Sequence, residues 1–180
     1  MAYQSCGSIT LAGIATDCTP SIGGIKVVYL LSYDNLGEVT IEDNQVSDIE
    51  LLNSGKWYRY QFRKNTSSLT STWNAGATEG DYFIQNDLAM VFNRMDTAKR
   101  IEISALTAGH TAAVVEDMNG NVWFLGKDQY LSASAGTGVT GTAAADANAY
   151  NITLTTQSAD YPFALTAEAY EAVKTSANAA

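Results

Sequence analysis

The side chains that could do chemistry are few, and their spacing does not assemble them. His110 is the single histidine, so a histidine metal cluster or a Ser-His-Asp relay would have to be built around one imidazole. It follows a stretch with helical character, where it is expected to favour the helix dipole or cap the last carbonyls. Cys6 and Cys18 have no neighbouring histidine or basic cluster to lower a thiol pKa, so neither is expected to be a nucleophile. They could pair in an oxidising setting; two reduced, structurally minor thiols are the expectation.

The acidic pairs Glu42-Asp43 and Glu116-Asp117 would point to opposite faces of a strand, which suits solvated acids better than acid/base work. Asp117, Asn119 and Asn121 alternate like the opening ligands of a calcium loop, but the remainder of that loop and its terminal glutamate are missing. Gly136, Gly138 and Gly141 spell G-x-G-x-x-G. A pyrophosphate site of that type needs a buried strand before it and an amphipathic helix after it. Here Ser132 to Ala135 precedes and an Ala-rich stretch follows, so a flexible loop is expected. No catalytic, cofactor-binding or metal-binding residue is predicted, and no cofactor.

The elements that would carry these residues are mostly strands. Ile25 to Tyr33 is an almost unbroken apolar run, as in a strand covered on both faces, and is predicted to be the central strand. Gly37–Asp43 and Val46–Leu52 are predicted to be a half-exposed pair with acidic outer faces. Trp57–Lys64 alternates Tyr58, Tyr60 and Phe62 with Arg59, Gln61 and Arg63. Tyr82–Phe92 places Ile84, Leu88, Met90 and Phe92 on one side, with Asn86 sharing it. In Val114–Gly126 two apolar runs flank Asn119-Gly120, which predicts a hairpin with a type I′ turn. Tyr150–Thr156 and Tyr161–Leu165 alternate again.

Asp96–Ala108 is predicted to be the main helix, with Asp96 as N-cap and a face of Ile101, Ala105 and Ala108; a strand through Ile101 and Ile103 stays open. Asn65–Gly80 and Asp128–Asn148, rich in Ser, Thr, Gly, Asn and Ala, are expected to be long loops. The resulting expectation is a mainly β (α+β) chain, an antiparallel β-sandwich or half-barrel with one flanking α-helix and long loops or arms. Residues 1–24 form an arm or lead-in, 25–166 the sandwich, and 167–180 a short helix or tail.

Composition narrows the function classes. Nineteen acids against ten bases give a net charge of −9, which disfavours gripping nucleic acid, because that affinity comes from Lys and Arg displacing counterions. Hydrophobic content of 46% with 16% charged residues indicates a folded chain. The N-terminal stretch lacks the basic start and apolar core of a secretory signal. No run approaches the roughly 20 apolar residues that cross a bilayer, so no membrane partner is expected.

Three segments carry a family resemblance: Gly23-Gly24-Ile25-Lys26 leading into the first strand, the hairpin from Glu116-Asp117 through Trp123 to Gly126, and Gly136–Gly141 leading on to Asp146-Ala-Asn148-Ala-Tyr150-Asn-Ile152-Thr-Leu154-Thr. In these the chain resembles the major tail tube proteins of long-tailed bacteriophages. The resemblance covers most of Cys18 to Phe163. It implies a tail-tube-like fold and a virion structural protein made in the bacterial host, without enzymatic activity. Hexameric rings would join their inner strands edge to edge around a channel and stack through loops and arms. The implied partners are other copies of the chain, other tail proteins, and DNA only as non-specific passage through an acid-lined channel. Alternatives are a tail-completion or head-tail joining protein, the tube of a related injection machine or, from another class, a secreted carbohydrate-binding or fimbrial β-sandwich.

Overall fold

Ile25–Ser32 (β1) buries every residue but Lys26 and Ser32, and this two-sided burial defines the architecture. Val28 and Leu30 point into one core and Val27, Tyr29 and Leu31 into another, because successive strand side chains take opposite faces. The computed structural model describes residues 11–16, 18–78 and 80–178. Further strands are β2 (Leu36–Glu42), β3 (Gln45–Leu51), β4 (Tyr58–Gln61), β5 (Ser68–Ala75), β6 (Tyr82–Asn93), β7 (Thr111–Asp117), β8 (Val122–Leu125), β9 (Ser132–Val139), β10 (Ala149–Ser158) and β11 (Phe163–Leu165). The helices are α1 (Thr97–Ala108) and α2 (Ala167–Asn178).

The strands form two sheets, seven-stranded in the order β2-β3-β11-β8-β7-β1-β4 and four-stranded in the order β5-β6-β10-β9. The mainly β, sandwich-like expectation holds, with 167–180 supplying a helix rather than a tail and with one parallel pair, β11 on β3. Between the sheets lie Val28, Leu30, Leu88, Met90, Val115, Leu125, Ile152 and Leu154, with Leu106 of α1 closing one flank. On the other face of the large sheet, Tyr29, Val46, Trp57, Val114 and Phe124 are covered by Ala169 and Val173 of α2. Thr166 starts α2, its Oγ1 accepting from Ala169 N at 3.3 Å.

Several predicted elements change in the structure. β1 is second from the border of its sheet, and β8 occupies the middle. Its apolar run reflects the layers on its two faces, which a sequence cannot distinguish from central position. Trp57–Lys64 yields only the four-residue β4, with Trp57 buried in the α2-side core and Tyr60 and Phe62 packed on the inter-sheet core. Asp96 caps α1 as predicted, accepting from Lys99 N at 2.8 Å. The buried face is Leu106 with Ile103, whereas Ile101 is 57% exposed.

Each of the two segments expected to be long loops contains an eight-residue strand. Residues 68–75 of the first are β5, and residues 132–139 of the second are β9; they are the two borders of the four-stranded sheet. Of their residues, only Leu69, Ser71, Asn74, Ser132 and Ala133 are even half-buried. They are held by backbone pairing with β6 and β10, which a scan for apolar periodicity does not detect. The 140–148 connection is ordered around Asp146, whose carboxylate accepts from Thr142 N and Ala143 N, both at 2.8 Å.

Candidate functional site

The described residues singled out for chemistry are dispersed, and several have a structural task. Asp117 accepts from the backbone N–H of Asn119 (2.8 Å) and Asn121 (2.9 Å) and from Asn121 Nδ2 (3.0 Å). The would-be calcium ligands are thus bonded to one another. Burial pushes the Asp117 carboxyl up, but the hydrogen bonds from Asn121, Asn119 and Trp123 outweigh it and hold the pKa below its ordinary value.

The predicted type I′ turn at Asn119-Gly120 is replaced by a three-residue connection. Of that pair only Gly120 has positive φ, at 87°, and Asp117 N donates to Asn121 O at 2.9 Å. This is a type I turn with a glycine bulge, favoured here because Asp117 organises the preceding residues. A hairpin turn with two positive φ values lies instead at Asp43 and Asn44, joining β2 to β3. Glu42 and Asp43 are therefore exposed residues of a hairpin end.

Glu116 is largely enclosed, and Lys26 Nζ (2.7 Å) and Tyr170 Oη (2.6 Å) donate to it. Burial raises its pKa, but the bonds from Lys26 and Tyr170 prevail and leave it lowered, while burial and that carboxylate push the Tyr170 phenol up. This contact latches α2 onto β1 and β7. His110 does not cap carbonyls with its ring; it stacks on Tyr130, with centroids 3.7 Å apart. Cys18 is exposed, and Cys6 lies outside the described residues. Gly136 and Gly138 are in β9, with Gly141 beyond it, so the glycine motif forms neither a loop nor a helix start. Among the described residues no three of His, Cys, Asp and Glu could jointly hold a metal ion, and no helix is long and apolar enough to cross a membrane.

What the fold does display is the pair of borders on the four-stranded sheet. β5 and β9 are eight residues each, and neither contains a charged residue or a proline. Free strand borders ordinarily carry such residues to block pairing with another chain. All three pairings within the sheet are antiparallel, so its first and last strands run in opposite directions. Sequence reading missed both borders; the signal available was β-branched Thr70 and Thr72 beside Trp73, a weak mark of strand propensity.

The face of this sheet turned away from the core is mostly uncharged, with polar side chains beside Phe83, Ala89 and Val91. Thr155 donates to Asp87 at 2.6 Å, Gln85 Nε2 to Asp87 at 3.0 Å, and Asn151 Nδ2 to Thr137 at 3.1 Å. Asp87 is the only charged residue in the four strands. The acids expected in a channel are concentrated elsewhere: Glu38, Glu42, Asp43, Asp48 and Glu50 are all exposed on the β2–β3 hairpin. Underneath, Asn86 is buried at 1% exposure, accepting from Ser71 (2.6 Å) and donating to Ser158 (3.0 Å). It fixes β5 and β10 on either side of β6. No protein-family model, curated protein or solved structure matches the chain.

Proposed function

We propose that this protein is a non-enzymatic structural subunit that closes into rings through the borders of its four-stranded sheet, and that stacked rings form the tube of a long-tailed bacteriophage. The observation that carries the reading is the pair of uncharged, equal-length, oppositely running borders at β5 and β9. With an even number of alternating strands, β9 of one copy meets β5 of the next antiparallel. A head-to-tail ring then continues the ladder without a break in pattern and leaves no free border.

The resemblance to tail tube proteins supplies the ring number. Six copies of four strands give a closed barrel of about 24 strands, about 45 Å between opposing backbones at ordinary strand spacing and tilt. That bore admits a nucleic-acid duplex with room for side chains. It would be lined by the Ser, Thr, Asn and Gln of the outer sheet face with one ring of Asp87. Such a lining is non-adhesive because it offers phosphates no cation, rather than through a general excess of acid.

The test is the oligomeric state across concentration by analytical ultracentrifugation, with negative-stain imaging of the heaviest species. Discrete rings or tubes support the proposal. A chain that stays monomeric at the highest soluble concentration refutes it.

A further inference from the structure

The borders also carry side-chain features that only a neighbour of the same kind would use. Resting on the ring reading above, we propose that Trp73 of one copy docks across Gly136 of the next, in the groove between β9 and α1, and that this contact sets the register of the ring.

Trp73 pairs with Ile84, and Ile84 is fully buried in the face toward the core. Opposed residues share a face, so Trp73 also projects toward the core side. Yet it is 55% exposed and Tyr82 52%, the two rings stacked with centroids 6.5 Å apart. The β5–β6 hairpin overhangs the rest of the molecule and presents an apolar pair on a side that is elsewhere covered. At the opposite border two positions of the corresponding face are glycines. Gly136 pairs with Ile152 and Gly138 with Tyr150, so both glycines point the same way as buried Ile152. Above them a groove of about 420 Å³ is bounded by Ile103 and Thr107 of α1.

Gly136 is not required by the isolated fold. Its φ is outside the left-handed region, and a Cβ built there meets nothing nearer than Asn151 O at 3.6 Å. Glycine inside a strand weakens it and often marks a close approach by another chain. The monomer thus has a projecting aromatic knob on one border and, on the other, open space over Gly136 next to Gly138, which the side chains of Tyr150 and Met95 already cover.

Barrel geometry relates the two. Following the pairings across the sheet, Trp73 lies level with Ile84 of β6, and Gly136, through Ile152, with Met90. Joining β5 to β9 with core-side faces matched and most of both strands overlapped requires a slip of about four or six residues per copy. Four strands advance about 19 Å around the barrel and the slip about 13 or 20 Å along it, a tilt of about 35° or 46°. Both lie at the tilts closed barrels adopt, and smaller or larger slips do not. Because β9 carries a bulge between Ala133 and Ala135, the first places Trp73 level with Ala133, the next core-facing residue along from Gly136, and the second opposite Gly136 itself. Each border is about 27 Å long and one sheet thick, so with the aromatic pair each contact buries about 1,000 Å², at the low end of specific interfaces. One contact is weak, and a closed ring, in which every copy makes two, is stable.

The experiment compares wild type with Gly136→Leu and Trp73→Ala by sedimentation velocity over a concentration series, with circular dichroism confirming the monomer fold of each. Both variants are expected to fold and to raise the concentration for half-assembly at least tenfold. Acrylamide quenching of tryptophan emission gives a second readout: a quenchable fraction, absent from Trp73→Ala, should become protected as wild type assembles. Wild-type rings with both variants assembling normally would overturn this docking while leaving the ring standing. Assembly blocked by Gly136→Leu alone would show that another segment fills the groove, and overturn the assignment to Trp73. A wild type that never assembles overturns the ring and the docking together.

Discussion

A pair of engineered cysteines tests the border pairing most directly, because a disulfide forms only over a narrow distance. At the smaller of the two slips Thr70 of one copy lies opposite Thr137 of the next; at the larger, Thr72 does. These residues face away from the core: Thr70 pairs with Asp87, and Thr137 with Asn151. Within one copy Thr70 and Thr137 sit on strands separated by β6 and β10, about 14 Å apart across the sheet and offset by four residues along it, about 19 Å in all. No intramolecular bond can close that gap. Across a joined border, directly opposed residues have Cα atoms about 4.5–5.5 Å apart, inside the roughly 4.4–6.8 Å that a disulfide spans. A mismatch of two residues along the strand moves the pair to about 8 Å, beyond reach. In a background with Cys6 and Cys18 replaced by serine, mild oxidation of Thr70→Cys/Thr137→Cys or of Thr72→Cys/Thr137→Cys should give a ladder of covalent oligomers on non-reducing gels. One of the two should react far faster than the other and thereby report the register. Each single-cysteine variant should give at most a dimer. If neither double variant forms a ladder under conditions where the protein is assembled, the borders are not joined in the way proposed.

Other outcomes follow from the interior. Asn86→Ala removes the partner of both Ser71 and Ser158 in the buried layer, and should cost about 1–3 kcal/mol, seen as a lower denaturation midpoint with unchanged slope. Asp117→Ala leaves the N–H groups of Asn119 and Asn121 without their acceptor; a loss of about 1–2 kcal/mol is expected by chemical denaturation, comparable to losing a helix cap. Glu116 has a lowered folded pKa, so its contribution is complete above its ordinary value of 4.5 and fades as pH falls through the lower folded value. The difference in Tm between wild type and Glu116→Gln should therefore be largest near neutral pH and shrink below pH about 4. Tyr170→Phe should remove part of the same difference.

Much of the core was legible because burial leaves a periodic trace. The continuous apolar run at Ile25 announced a strand covered on both faces, alternation in Tyr82–Phe92 placed Asn86 among buried residues, and Asp96 marked the start of α1. The candidate site left no such trace. β5 and β9 consist of small and polar residues because their outer borders are exposed, and Ser, Thr and Gly in a row resemble a loop unless the partner strand is known. The glycine string around Gly136 was visible, but its meaning depends on φ and on the open space beside it, neither of which is local in sequence.

By itself, then, the sequence determined the β-rich class, the strand at Ile25 and the N-cap of α1, since these depend on residue type and spacing along the chain. Only the tertiary structure decided that Ile103 and Leu106, rather than Ile101, face the core, that Asp117 organises a turn instead of a metal site, and that the four-stranded sheet holds a single acid, Asp87, while five exposed acids gather on the β2–β3 hairpin. It also decided that two polar segments distant in sequence form opposite borders of one sheet. The physical reason is that hydrophobic periodicity records what is buried within a strand or helix, whereas sheet order and free hydrogen-bonding borders are set by pairing between segments far apart in the chain.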